Sequence, residues 1–311
     1  LAERAPAASG EVEMKVNRSF RFLLVDAFAK VPFGGNPCAV VLDADTLSDS
    51  EMLAVAKEMN QSETAFLMKS KKSDLRARYF TPEREIPLAG HPTIASIHAA
   101  LEEKLIVMSG LSKDFSLELN DGPIKVTVQS SANGQLIRMF QRKPEFLDLH
   151  DPTVVLSIFN LSQADLLSGA EIQTVSTGTR QLMVPLASHT ALKKVSMRVD
   201  AYKAYRDKMG FFSPHFFCLG GATERGATFA RHLGVTPDTM EDAFTGSATG
   251  GMAAYLWKYG YLEQPLFIAE QGHWMGRPGQ AEVEIFGTPN DIEGVAVSGY
   301  AVTVVRGELR L

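Results

Sequence analysis

The chain has 311 residues, 45% of them apolar and 22% charged, with a net charge of −5; these are the proportions of a globular enzyme with two ordinary domains or one large one. The acidic balance argues against a nucleic-acid backbone as partner, and no stretch reaches the ~18 uninterrupted apolar residues of a membrane helix. Two cysteines, Cys38 and Cys218, are too few for a disulfide scaffold and form no CxxC metal site, so a reducing, cytoplasmic setting without metal or cofactor is expected.

Residues 1–13 are Ala-rich and charged, without the apolar core of a signal peptide. They read as a disordered leader or an expression remnant, with Met14 as a candidate natural start. Phe20 to Phe28 is an apolar, β-rich run and reads as a buried strand. Phe33-Gly-Gly-Asn-Pro37 is a turn by composition, and Cys38 to Leu42 a second strand. Ser48 and Glu51 have the spacing of a capping box, which predicts a helix over 49–59. Asn60 to Glu63 ends it, and Thr64 to Met68 is a strand. Leu75 to Phe80 is a further alternating strand, ending at Thr81-Pro82.

Gly90-His91-Pro92-Thr93 then opens a helix through Ile94, Ala95, Ile97, His98, Ala99 and Leu101. It is apolar nearly all round, so it should be buried. Pro92 suits the first turn. The free N–H groups of such a helix start are suited to an anion. Phe115–Leu119 and Ile124–Gln129 form a hairpin around Asn120-Asp121-Gly122, with Leu136–Gln141 nearby. Lys143-Pro144 reads as a boundary. A short helix is predicted over 157–167, strands over 172–178 and 181–186, and a helix over 199–209. Strands are predicted over 216–219 and 227–233. Gly246-Ser247-Ala248-Thr249 opens a second buried helix to about Tyr259. Strands over 266–271, 281–286, 300–305 and 308–311 finish the chain.

The two halves follow one order of events. Strand, helix, two strands, Thr81-Pro82 and Gly90-x-x-Thr93 are matched by strand, helix, two strands, Thr236-Pro237 and Gly246-x-x-Thr249. Ala95 and Gly251 are small at the matching helix position. Duplication follows, hence two like domains with two helix starts facing one cleft. The domains are expected over 14–140 and 141–298, with 299–311 returning to the first.

Glu63 lies where an amphipathic helix gives way to an apolar strand. Desolvation there would raise a carboxylate into the range of a general acid or base, the alternative being a solvated helix-end charge. His91 at a helix start should be a neutral imidazole, either in the cleft or held by a structural hydrogen bond. Asp242 is a second cleft carboxylate or a charge favourable to a helix start. Ser247 fits an N-cap. Gly220 to Gly226 is Gly-rich but is neither a P-loop nor a dinucleotide fingerprint. Arg277 in Gly276-Arg-Pro-Gly279 is a turn arginine that could reach an anion.

Taken together, Val25-Asp-Ala-Phe28, Phe33-Gly-Gly-Asn-Pro37, Asn60-Gln-Ser-Glu-Thr-Ala-Phe66, Phe80-Thr-Pro82, Pro87-Leu-Ala-Gly-His-Pro-Thr93, Val175-Ser-Thr-Gly178, Asp242-Ala-Phe-Thr-Gly-Ser-Ala248 and Gln271-Gly with Gly276-Arg-Pro278 resemble the PhzF-like, or phenazine biosynthesis-like, proteins. The resemblance runs in order over residues 17–311. It implies an α+β diaminopimelate-epimerase-type fold: two similar domains, each an antiparallel β-roll around a central helix, with the active site between them. The family's isomerase moves a proton along a dihydro-hydroxyanthranilate ring.

By that resemblance Glu63 takes and returns the proton, and His91, Asp242 and Ser247 assist. Gly90 and Gly246 offer N–H groups to the carboxylate of a small substrate, and a homodimer is expected. Cofactor-free racemases of this fold resemble two-thiol enzymes, with a cysteine before each central helix. Ala89 and Thr245 stand there in this chain, so the two-thiol mechanism is excluded. Pro92 and the Ala243-Phe244 pair also depart from the family pattern, and Phe244 is expected to reshape the pocket. A non-thiol epimerase, a lyase, and a binding module without turnover are the other readings.

Overall fold

The computed structural model describes residues 18–235 and 240–311; the 1–13 leader and the Thr236-Pro237 match of the repeat lie outside them. Chain-local signals set most elements. β1 (Ser19–Ala27) and β2 (Asn36–Val41) pair antiparallel. α1 (Asp49–Met59) has the expected capping box, Ser48 with Glu51, and ends at Asn60 with φ +49°. β3 (Thr64–Met68), β4 (Leu75–Phe80) and β5 (Glu85–Ile86) follow. Next come α2 (Gly90–Glu102), β6 (Ser112–Leu119), β7 (Gly122–Ser131) and β8 (Gly134–Phe140).

The second half opens with β9 (Glu145–His150), which the sequence pattern did not announce. α3 (Pro152–Ile158) replaces the helix expected over 157–167. Asp151 accepts from Thr153 N and Pro152 takes the first turn, an N-terminal signal that starts the helix upstream of the expected span. A 3-10 turn at Gln163–Asp165 is all that remains of the expected helix's end. β10 (Ile172–Ser176), β11 (Arg180–Pro185), α4 (His189–Lys194) and α5 (Val199–Met209) come next. Then follow β12 (Ser213–Leu219), β13 (Thr228–Leu233), β14 (Glu241–Asp242) and α6 (Gly246–Lys258). β15 (Leu266–Gln271), β16 (Gly279–Thr288) and β17 (Asp291–Gly299) precede β18 (Ala301–Arg310). β18 is one continuous strand where two were expected.

The expected antiparallel β-rolls are corrected to mixed ones. β2–β3, β4–β6, β11–β12 and β13–β15 are parallel. Each needs a crossover, and the helices supply it: α1 lies between β2 and β3, and α2 between β4 and β6. Likewise α4 and α5 lie between β11 and β12, and α6 between β13 and β15. The order of parallel and antiparallel pairings from β1 to β8 therefore recurs from β10 to β17. β8 pairs with β17, β9 with β10, and β18 with β1, which joins all eighteen described strands in one mixed sheet.

α2 and α6 are the two central helices. α2 packs on β1, β2, β8 and β18, and α6 on β10, β11, β12, β16 and β17. Ile94, Ile97, Ala99, Met252, Ala253 and Leu256 are each fully buried. Helices apolar all round can be satisfied only inside such wrapping; each buried Ile or Leu contributes roughly 1.5–3 kcal/mol relative to exposure. The N-termini of α2 and α6 meet, and the site is built around that meeting.

Candidate active site

The two Gly-x-x-Thr motifs do the same work. Thr93 Oγ1 donates to Ala89 O at 2.7 Å, and Thr249 Oγ1 donates to Thr245 O at 2.9 Å. Each hydroxyl bonds the carbonyl one turn back and so is satisfied inside the core. The N-caps are Ala89 and Thr245, and neither side chain caps its helix. Ser247 is therefore not the N-cap but the second residue of α6. Neither first turn holds an acidic residue, so no side-chain carboxylate there competes with an incoming anion.

Asn36 binds the site together, although its motif marked only a turn. It begins β2 and is 2% exposed. Its Nδ2 lies 3.0 Å from His91 Nδ1, 2.6 Å from Asp242 Oδ1 and 2.9 Å from Phe244 O. Asp242 Oδ1 and Phe244 O, both acceptors, identify that atom as the amide NH2, which cannot itself accept. His91 Nδ1 thus accepts, and its proton sits on Nε2. That nitrogen is 3.3 Å from Glu63 Oε2 and 3.5 Å from Ser62 Oγ. Burial lowers the His91 pKa to about 3, so the imidazole is neutral, with its Nε2 facing Glu63.

Asp242 lies across Asn36 from His91. Burial pushes its carboxyl up to about 6, although hydrogen bonds from Thr245, Asn36 and Ser62 oppose the rise. Thr245 Oγ1 donates to Asp242 Oδ2 at 2.5 Å. Gln271 staples the same loop, its Nε2 donating to Asp242 O and its Oε1 accepting from Thr245 N.

Arg277 is neither a free turn arginine nor an anion ligand. Its guanidinium donates to Asp26 Oδ1 at 2.6 Å and to Gly34 O and Gly35 O at 3.0 Å each. Gly35 has φ +54°, and a Cβ there would meet Ala27 O at 2.0 Å; no other residue fits. Arg277 and Gly35 together fix the turn that delivers Asn36. Phe244 is likewise moved from its expected place. It is fully buried and stacks on Phe28 at 4.3 Å, behind the helix junction, and is not among the lining residues of the cavity.

A cavity of about 400 Å³ is lined by all six residues singled out from sequence: Glu63, Gly90, His91, Asp242, Gly246 and Ser247. Its lining also includes Arg84, Gln181, Arg206 and His232, none of which carries a local signal. Cys38 and Cys218 are buried elsewhere in β2 and β12, and burial raises both thiols, Cys218 to about 12. They are poor nucleophiles at neutral pH. Among the described residues no group of three or more His, Cys, Asp or Glu is placed to hold a metal, and no helix is long and apolar enough to cross a membrane.

Residues 25–307 match the phenazine biosynthesis-like protein family. The chain is 34% identical over 296 residues to the uncharacterized isomerase YddE of Salmonella typhimurium, covering 91% of this chain and 96% of that one. It is 33% identical over 300 residues to the trans-2,3-dihydro-3-hydroxyanthranilate isomerase of Pseudomonas fluorescens, covering 93% and 99%. Among solved structures, a Bacillus anthracis phenazine biosynthesis protein of the PhzF family superposes with a TM-score of 0.84 at 28% identity, covering 94% and 99%.

Proposed function

The chain belongs to the phenazine biosynthesis-like protein family, and from that premise we propose that it is a cofactor-independent isomerase moving a proton on a small carboxylated ring. The observation that carries this reading is the neutral His91 whose Nε2 faces Glu63 at 3.3 Å inside the cavity where α2 and α6 meet. Glu63 takes the proton from a ring carbon, and the C–H electron pair enters the ring's π system. The same carboxyl returns the proton to another carbon, so nothing is gained or lost. His91 Nε2–H steadies the carboxylate, and the N–H groups around Gly90 and Gly246 hold the substrate carboxylate and its developing charge. The substrate is of the dihydro-hydroxyanthranilate type, by the name of the Pseudomonas relative. The two runs of strand pairings support two domains, 14–140 with 299–311, and 141–298.

The test is solvent deuterium exchange into trans-2,3-dihydro-3-hydroxyanthranilate. The native chain should exchange, and Glu63→Gln should slow exchange by roughly 10²–10⁴. Equal rates would end the Glu63 mechanism, and no exchange by either would favour a binding module. The carboxyl of Asp242, pushed up to about 6, supports a second reading, a two-base epimerase using Glu63 and Asp242. In that case Asp242→Asn would abolish inversion while leaving one-sided exchange by Glu63.

A further inference from the structure

One wall of the cavity is a chain of buried polar side chains that the proton transfer does not use. Ser213 Oγ donates to Gln181 Oε1 at 2.9 Å, and lies 2.7 Å from His232 Nε2. His232 Nδ1 is 3.2 Å from His215 Nδ1, the two histidines facing each other across β12 and β13. All four residues are at most 5% exposed. Gln181, Ser213 and His232 line the cavity.

The hydrogen bonds have a direction. Ser213 spends its one proton on Gln181, so it accepts from His232 Nε2–H. His232 Nδ1 is then bare and accepts from His215 Nδ1–H. That leaves His215 Nε2 a bare acceptor, and it is buried with no hydrogen-bond partner among the described residues. Its desolvation costs stability. An apolar wall would avoid that cost, so packing alone does not account for the chain. What the chain achieves lies at its other end: Gln181 Oε1 is held by Ser213, and its NH2 makes no hydrogen bond among the described residues.

We infer that Gln181, held by Ser213, His232 and His215, is a specificity subsite for an uncharged oxygen, a hydroxyl or carbonyl, on the substrate. This rests on the proposed function, in which the substrate carboxylate is seated at the two helix starts. The wall is neutral: burial lowers the His232 pKa to about 3, and burial and the neighbouring His232 hold His215 well below the usual range. It offers a donor without charge, which suits an alcohol or ketone and not a second carboxylate. A site built to hydrogen-bond such a group rejects analogues that lack it, because a bound analogue covers its donor without pairing it.

The test is isothermal titration of the full chain with benzoate, 3-hydroxybenzoate and isophthalate. The native protein should bind 3-hydroxybenzoate about tenfold more tightly than benzoate. Gln181→Met should remove that preference while changing benzoate binding by less than about twofold. Ser213→Ala should reduce the preference. Equal binding of the two acids by the native protein, which needs no variant, overturns the subsite, as does an undiminished preference in Gln181→Met. Tighter binding of isophthalate than of 3-hydroxybenzoate also overturns it and assigns selectivity to Arg84 and Arg206. Failure of all three acids to bind removes the subsite and the carboxylate seat together. An unchanged exchange rate in Glu63→Gln removes only the proton-transfer reading.

Discussion

Gly90 and Gly246 meet backbone to backbone: a Cβ built on Gly90 would lie 2.8 Å from Gly246 Cα and 2.8 Å from Ser247 N. Nothing at that contact can yield, because every atom met belongs to the main chain. Gly90→Ala must therefore push the starts of α2 and α6 apart. We expect a loss of about 1–3 kcal/mol in stability, the usual cost of overpacking, and weaker binding of carboxylates in the cavity. Denaturant unfolding and benzoate titration check this. A variant as stable as the native chain would show that the two helix starts are not in firm contact.

The tautomer of His91 follows from Asn36. Because Asn36 Nδ2 donates to Nδ1, the proton belongs on Nε2, and burial holds the ring's pKa at about 3. We expect nitrogen NMR to show a neutral, Nε2-protonated imidazole at pH 5, where an unperturbed histidine is mostly charged. The unfolded chain binds more protons than the folded one between about pH 3 and 6.5, so His91 makes stability rise with pH across that window. An imidazolium signal at pH 5 would contradict the donor assignment.

Asp242 acts in the opposite sense. Its carboxyl is raised to about 6 from an ordinary 3.8, so the folded state holds the extra proton between those values. Its contribution is present at low pH and is lost as pH rises from about 4 to 6. Asp242→Asn cannot ionise. The stability of that variant relative to the native chain should therefore climb across the same range, by on the order of 3 kcal/mol. Urea unfolding of both proteins at pH 4 and pH 7 measures the difference. A relative stability that is flat with pH would place the Asp242 carboxyl near its ordinary value.

The site residues legible in the sequence were those with local signals. Glu63 stood at a helix–strand junction, and His91 and Ser247 stood just inside helix starts. What joins them was not legible, because Asn36 and Asp242 are 206 residues apart in the chain. The His215–His232 pair depends on the register of β12 against β13, which no periodicity in either strand fixes. β17 escaped because Gly294 and Gly299 interrupt its apolar run, and glycines there read as turns. The helix expected over 157–167 shows the converse: Asp151-Pro152 is a readable start, and it lies upstream of that span.

The Gly-rich loop from Gly220 to Gly226 is explained by one buried carboxylate. Glu270 is 1% exposed and accepts from Thr223 N at 2.8 Å, Thr223 Oγ1 at 2.6 Å and Gln280 Nε2 at 2.6 Å. A Cβ on Gly221 or Gly226 would lie 2.6 or 2.5 Å from its Oε2, so the loop closes tightly on the carboxylate. Burial alone would raise its pKa, but the hydrogen bonds from Thr223 and Gln280 outweigh burial and lower it. Its stabilisation is thus present above the ordinary glutamate range and is lost as pH falls through the folded value. Glu270→Gln turns an acceptor into an NH2 facing a donor. With three donors converging, one must go unpaired, at a cost of about 1–3 kcal/mol. We expect a lower urea midpoint with an unchanged slope at pH 7, and a smaller gap between variant and native chain at pH 3. A gap that is equal at both pH values would mean that the carboxylate's charge contributes nothing to closing this loop.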